Sequence, residues 1–560
     1  MDSDNGWVKG EWGQPGHLQN PTNVTRLARA IEPEDDDDHP QIVYYQAGVG
    51  TGIGLWSHLV GGGTGLGLAD NVREAYSFLA NNYSGQDDLV PSDSIFLLGF
   101  SRGAYTARTL GGFVCQMGIL KKKAMSHFYE CFEDWERAGD PHYSPRFFDA
   151  YLKHHHDLGG DGLEVKIKEI KEKTQSSCHK VRDAGLDDYF KLLQELDLTQ
   201  RVTINAIGVW ETVGALGIPV NPRLQRIFPF LPNFFRTYSF FDTRLHPSIN
   251  NAYHALALDE HRSPYSPAVW ELQDNGTTNL EQTWFAGAHS NIGGSYEDSG
   301  IADMTLAWMM DRLAGNMLED RAKFQARDWI KFDENYIRYW YNCQTDWLTE
   351  HPSEKPHRGW GMGTLYDSYT FPQSLAGHCT RRPGRYHGTF YENGKQDPDR
   401  LLDRTNEHIH SSVRARMDMG GRDVEPDWSQ AFPHGLEFKP WIQKAWLWIT
   451  GRPYPTYRPQ GEKGKKGPLK GWELKDDHGS PSQPNDNLAE RPGGLRICRW
   501  EHEGADELKV RTMPEAKLGD FERKLLEMDR DVAKQIEFGD NGWWWWLKKP
   551  TIPTEHGRTM

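Results

Sequence analysis

The chain has 560 residues, of which 37% are hydrophobic and 26% charged, a composition that suits a large globular protein with an extended core. A formal net charge of −15 argues against a nucleic-acid partner, because the phosphates would be repelled. Six cysteines (Cys115, Cys131, Cys178, Cys343, Cys379 and Cys498) include no Cys-x-x-Cys pair, which sets aside zinc ribbons and dithiol redox sites. So few thiols in so long a chain fit a reducing compartment. With neither a signal-peptide pattern at the start nor an apolar run of bilayer length, the expected location is the cytoplasm.

In chain order, the acidic run at residues 34–38 reads as a solvated loop. Ile42-Val43-Tyr44-Tyr45 is a short β-rich run that leads into a glycine-rich stretch at residues 48–67. Val72, Ala75, Leu79 and Tyr83 then recur at helical spacing. Ser94-Ile95-Phe96-Leu97-Leu98 reads as a strand buried on both faces, and residues 203–209 and 283–286 as two more. Strand and helix signals alternate, so the fold class expected is α/β, a mainly parallel sheet flanked by helices. Residues 1–315 are read as the catalytic domain, with a helical insertion at 121–200. A mixed helix and loop extension follows at 316–450. Residues 451–495, dense in Pro, Gly, Lys and Asp, read as a linker or disordered arm, and 496–560 as a helical tail.

Gly99-Phe100-Ser101-Arg102-Gly103 is a G-x-S-x-G pentapeptide between that apolar strand and a good helix start. There the serine occupies a strained turn and its hydroxyl projects above the sheet beside the amides of a helix N-terminus. The bland reading is a tight turn whose serine only caps the helix. A serine hydroxyl needs a base to accept its proton and an acid to orient that base, in the chain order Ser, acid, His for this fold. Glu211 follows the strand ending at Val209. His289, one of 23 histidines, follows the strand at 283–286 in a glycine-rich loop. The predicted triad is therefore Ser101, Glu211 and His289, with Asp259, Asp298 and Asp303 as rivals for the acid. Each of these carboxylates also reads as a helix cap or a surface charge.

The run Gly99-Phe100-Ser101-Arg102-Gly103-Ala104-Tyr105-Thr106-Ala107-Arg108 resembles the signature of the family named for the catalytic domain of type VI secretion phospholipase effectors. Four more segments are similar to that family: Asn20-Pro21-Thr22-Asn23-Val24, Tyr45-Gln46-Ala47-Gly48-Val49-Gly50-Thr51, Gly208-Val209-Trp210-Glu211-Thr212-Val213-Gly214 and Gly287-Ala288-His289-Ser290-Asn291-Ile292-Gly293-Gly294. The resemblance covers residues 20–313. It implies an α/β-hydrolase fold and hydrolysis of a lipid or phospholipid ester; a serine triad needs no metal and no organic cofactor for that reaction. The long Trp-rich C-terminal part looks like that of fungal members. Glu211 stands where many members carry Asp. Members usually begin with a hydrophobic strand ending in Asp-Gly-Thr, whereas this sequence starts at Met1-Asp2-Ser3-Asp4, similar to the stretch that follows it. The expectation is thus a sheet lacking its first core strand. The alternative function is a non-catalytic binding or scaffold protein that keeps the fold.

Other features take blander readings. The glycine-rich stretch has neither G-x-G-x-x-G nor a Gly-Lys-Ser/Thr ending and is read as a loop near the active face. His154-His155-His156 reads as a surface patch, since adjacent residues on a helix do not converge on one ion. The aromatic stretches at residues 228–235 and 543–546 fit either packing against the main domain or peripheral membrane contact.

Overall fold

The computed structural model describes residues 7–8, 17–18, 20–46, 66–85, 92–140, 142–155, 161–176, 178–212, 245–273, 276–317, 326–350, 360–367, 378–389, 396–419, 424–426, 468–469, 471–476, 498–502 and 510–529. Its centre is a five-stranded sheet of β1 (Phe96–Phe100), β2 (Ile204–Trp210), β3 (Ile249–Ala257), β4 (Asn279–Phe285) and β5 (Glu407–Ile409). They lie in the spatial order β5-β4-β3-β2-β1, and every pairing is parallel. A parallel sheet is buried on both faces, which explains the near-continuous apolar runs of β1 and β2. The fold is α/β, as the alternation of signals predicts.

Side-chain alternation divides the strands between two cores. Leu97, Ile207, Val209, Ala252 and Leu280 face one side and pack with Leu110, Phe113 and Val114 of helix α3 (Arg102–Met117). Helix α2 (Leu66–Asn82) joins this core through Val72 and Ala75, the positions whose spacing predicts it. The same core takes in the segment at 121–200, whose helices are α4 (Phe128–Glu136), α5 (Phe147–Leu152), α6 (Asp161–Thr174) and α7 (His179–Glu195). In α4, Phe128, Cys131, Phe132 and Trp135 recur at i, i+3, i+4 and i+7, forming one apolar stripe.

Phe100, Ala206, Trp210, Tyr253, Ala255 and Phe285 face the opposite core. It is built with α1 (Asn23–Ala30), α9 (Gly300–Leu313), buried from Ile301 onward, and two later helices, α10 (Tyr336–Glu350) and α12 (Asp520–Glu527). Between these lie two short helices, α8 (His289–Gly293) directly after β4 and α11 (Ser411–Met419) directly after β5.

Three elements differ from the sequence expectation. Ile42, Val43, Tyr44 and Tyr45 form no strand and are exposed, because none of the described ladders offers their backbone a partner. β3 was hidden by its polar start, Ile249-Asn250-Asn251, which breaks the apolar run. Of the helical tail read at 496–560, the described residues form one short helix, α12. The residues before it form the edge of an antiparallel sheet of β6 (Trp472–Asp476), β7 (Cys498–His502) and β8 (Thr512–Pro514). None of the six cysteines forms a disulfide. Among the described residues no helix is long and apolar enough to cross a membrane. Most of the glycine-rich stretch, the aromatic stretches at 228–235 and 543–546, and most of the 451–495 segment lie outside the described residues.

Candidate active site

The ladder register brings three chain segments to one edge of the sheet. Beyond β1, the Ser101 amide donates to Trp210 O at 3.0 Å, continuing the pairing of β1 with β2. Beyond β2, the Glu211 amide donates to Ala255 O at 2.9 Å, and beyond β3 the Asp259 amide donates to Gly287 O at 3.0 Å. Ser101, Glu211 and the loop carrying His289 thus all emerge at the carboxyl ends of adjacent strands, where open α/β sheets bind ligands.

Ser101 has φ 58° and ψ −119°, a conformation outside the regions favoured by L-residues that stores on the order of 1–3 kcal/mol of strain. The turn is fixed on both sides. Behind it, β1 is locked in the sheet. Ahead of it, α3 begins at once and runs sixteen residues to Gly118, whose positive φ lets its amide close on Val114 O at 2.9 Å. Ser101 does not cap the helix with its side chain. Its hydroxyl instead points to His289, with Oγ 2.8 Å from Nε2.

On the other side of the ring, His289 Nδ1 lies 3.2 Å from Glu211 Oε2. Phe100 and Tyr265 flank the imidazole with ring centroids at 4.7 and 4.8 Å, the latter edge-on. The His289 amide donates to Glu260 Oε2 at 3.3 Å. Glu260 in turn is clasped by Arg262, whose guanidinium lies over the Tyr265 ring at 3.5 Å. All three groups of the Ser–His–Glu line are buried.

Electrostatics sort the protonation states. Burial pushes Glu211 upward, but Arg381 and His289 outweigh it and hold the carboxyl down at about 2. An ionised carboxylate only accepts, so Nδ1 carries the hydrogen and Nε2 is left as an acceptor facing Ser101. The His289 pKa is lowered, chiefly because burial disfavours the charged ring, an effect partly offset by its hydrogen bond and attraction to Glu211.

The rival carboxylates are engaged elsewhere. Asp259 accepts from the Gly287 amide at 2.7 Å and so braces the His289 loop. Asp298 accepts from the Gly300 and Thr364 amides at 3.1 and 2.8 Å. Asp303 pairs with Arg26. Of the resembling segments, Asn23 ties α1 to α8 and α9, its side-chain amide donating to Ile292 O at 3.1 Å and Ala302 O at 2.9 Å. His155 stacks on Tyr151 and its Nδ1 lies 2.8 Å from that residue's carbonyl, and no metal-binding cluster occurs among the described residues.

The chain matches, over residues 7–312, the family described as the T6SS phospholipase effector Tle1-like catalytic domain. That span exceeds half of the 560 residues. The chain belongs to this family. It is also similar to the uncharacterized protein YEL023C of Saccharomyces cerevisiae, 29% identical over 136 residues, which cover 21% of this chain and 19% of that one. The chain therefore matches about a fifth of that yeast protein's length.

The Tle1-like domain contains Ser101, Glu211 and His289 but ends before several residues that complete their surroundings. Arg381 donates to both Glu211 oxygens, at 3.0 and 2.9 Å. Thr364 and Tyr366 hold the Asn291 side chain one turn into α8, at 2.9 and 3.1 Å. Sequence reasoning missed these, as it missed Glu260, Arg262 and Tyr265. They carry no local motif and meet the site only through the fold.

Proposed function

We propose that this chain is a serine hydrolase that cleaves carboxylic esters of lipids, with phospholipids the favoured substrates. One observation carries the reading: an unbroken line from Ser101 Oγ through the His289 ring to Glu211, with spacings of 2.8 and 3.2 Å. Membership of a phospholipase effector family supports the substrate class.

In this mechanism Ser101 Oγ attacks the acyl carbonyl carbon while its proton passes to His289 Nε2. Glu211 steadies the imidazolium that results. Charge grows on the carbonyl oxygen, next to the N-terminus of α3, whose first amides from Arg102 onward lack intrahelical acceptors. Collapse expels the alcohol or lysolipid, which takes the proton from Nε2 and leaves an acyl group on Ser101. Water, deprotonated by the same histidine, then releases the fatty acid and restores the serine.

The test is labelling of the purified protein by a fluorophosphonate probe. Wild type should react, Ser101→Ala should not, and His289→Ala should react at least about a hundredfold more slowly. Phosphatidylcholine vesicles should then yield free fatty acid in a Ser101-dependent manner. A folded wild-type protein that takes up no probe overturns the proposal and leaves a binding or scaffold role for the fold.

A further inference from the structure

We infer that Arg381, beyond the Tle1-like domain, is a positioning residue of this active site, holding the Glu211 carboxylate ionised and aimed at His289. The inference rests on the hydrolase reading and adds to it a part that the family domain does not contain.

The guanidinium is buried with four acceptors. Nη1 donates to Glu211 Oε1 at 3.0 Å and to Ala257 O at 3.1 Å. Nη2 donates to Glu211 Oε2 at 2.9 Å and to Tyr265 O at 2.6 Å. Arg381 therefore ties together the end of β3, the acid, and the residue whose ring packs against the imidazole. Oε2, the oxygen that faces His289 Nδ1, is the one gripped by Nη2. A bidentate fork fixes both the plane and the direction of a carboxylate, which a single ammonium does not.

Burying an ion pair is costly, and stability alone is served as well by apolar side chains of the same volume. Here the charge has a use. Glu211 sits in a site where burial favours its neutral form, and a protonated Glu211 would no longer fix Nδ1–H and free Nε2 for Ser101. The groups that set the balance are few. Glu211 faces Arg381 and His289, with His254 and Cys379 nearby, while His289 also feels Glu260 and Arg262. Arg381 itself feels Glu211, Tyr386 and Glu260. Removing the cation lets a proton bind more readily to Glu211, and to the imidazole across it. Both effects move the acid limb of activity to higher pH.

The experiment measures the rate of fluorophosphonate labelling from pH 5 to 9 in wild type, Arg381→Gln, Arg381→Lys and Ser101→Ala, with circular dichroism to check folding. For Arg381→Gln the acid limb should move to higher pH, the direction expected when an adjacent opposite charge is lost, so that labelling at pH 5–6 falls severalfold relative to its own value at pH 8 and recovers in base. Arg381→Lys keeps the charge but loses the fork, so its limb should stay near the wild-type position while the plateau drops severalfold. A limb unmoved in a folded Arg381→Gln overturns the inference, leaving Arg381 a structural residue only. If Arg381→Gln does not fold, Arg381→Lys decides: a limb in place with a lowered plateau supports the inference, and any other profile overturns it. Failure of the hydrolase reading looks different, because wild type would then label no better than Ser101→Ala at any pH.

Discussion

Glu211 accepts four hydrogen bonds from a backbone position at φ 47°. Its donors are the Ala257 amide at 2.6 Å, the two Arg381 nitrogens, and His289. A side chain one methylene shorter cannot keep all four without pulling the strand ends together. Glu211→Asp should therefore fold but lose about a hundredfold in labelling rate, the scale expected for a misplacement near 1 Å, measured against wild type at pH 8. The same carboxylate sets a stability window. Its folded value, near 2, lies below the ordinary 4.5, so its contribution is complete above pH 4.5 and is lost as the pH falls toward 2. The proposed acid was the least legible member of the candidate site, since four carboxylates were in play. What separates it from Asp259, Asp298 and Asp303 is its place 3.2 Å from His289 Nδ1, where the other three bind backbone amides or Arg26. Arg381 gave no sequence signal at all, because it stands 170 residues from its partner in a stretch already rich in arginine.

At the scale of elements, the strand, turn and helix around Ser101 depend on how closely β1 and α3 approach. A Cβ added at Gly99 would stand 2.4 Å from Gly103 O and 2.7 Å from Ala104 Cα, both backbone atoms that cannot swing aside. Gly99→Ala must push the helix off the strand. We expect a loss of about 1–3 kcal/mol in denaturant unfolding, as for other overpacked sites, together with a labelling rate that falls because Ser101 rides on the displaced turn. This unit was legible because its signals are local: an apolar strand, two glycines, and an Ala-rich helix start. β2 and β4 were legible for the same reason, as short buried runs ahead of the glycine-rich segments that carry Glu211 and His289. β5 was not. It has three residues, Glu407, His408 and Ile409, two of them polar, and it becomes a strand only because β4 offers it an edge.

Across the whole molecule, residues beyond the family domain are woven into the central sheet. β5 supplies its fifth strand, and α12 docks on α9 through buried charge. Asp311 receives the Phe521 and Glu522 amides at 2.9 Å each, serving as a cap from outside the helix. Arg312 bridges Glu522 at 2.7 Å and Glu281 of β4 at 2.8 Å. His410, at the end of β5, lies 2.7 Å from the other oxygen of Glu522. One glutamate of the last described helix thus joins a core helix to the end of a sheet strand. Its removal leaves Arg312 with one carboxylate and His410 without its charged partner. Glu522→Ala should cost about 3–5 kcal/mol, the usual penalty for breaking a buried ion pair. Scanning calorimetry should show one transition at a lower midpoint, because α9, the sheet and α12 share these charges and unfold together. Two separated transitions, with only the lower one displaced, would show instead that the C-terminal segment melts as a unit of its own. The contacts of Arg381 with Glu211 would then have to survive or fail apart from those of Glu522, and labelling at a temperature between the two transitions would tell which.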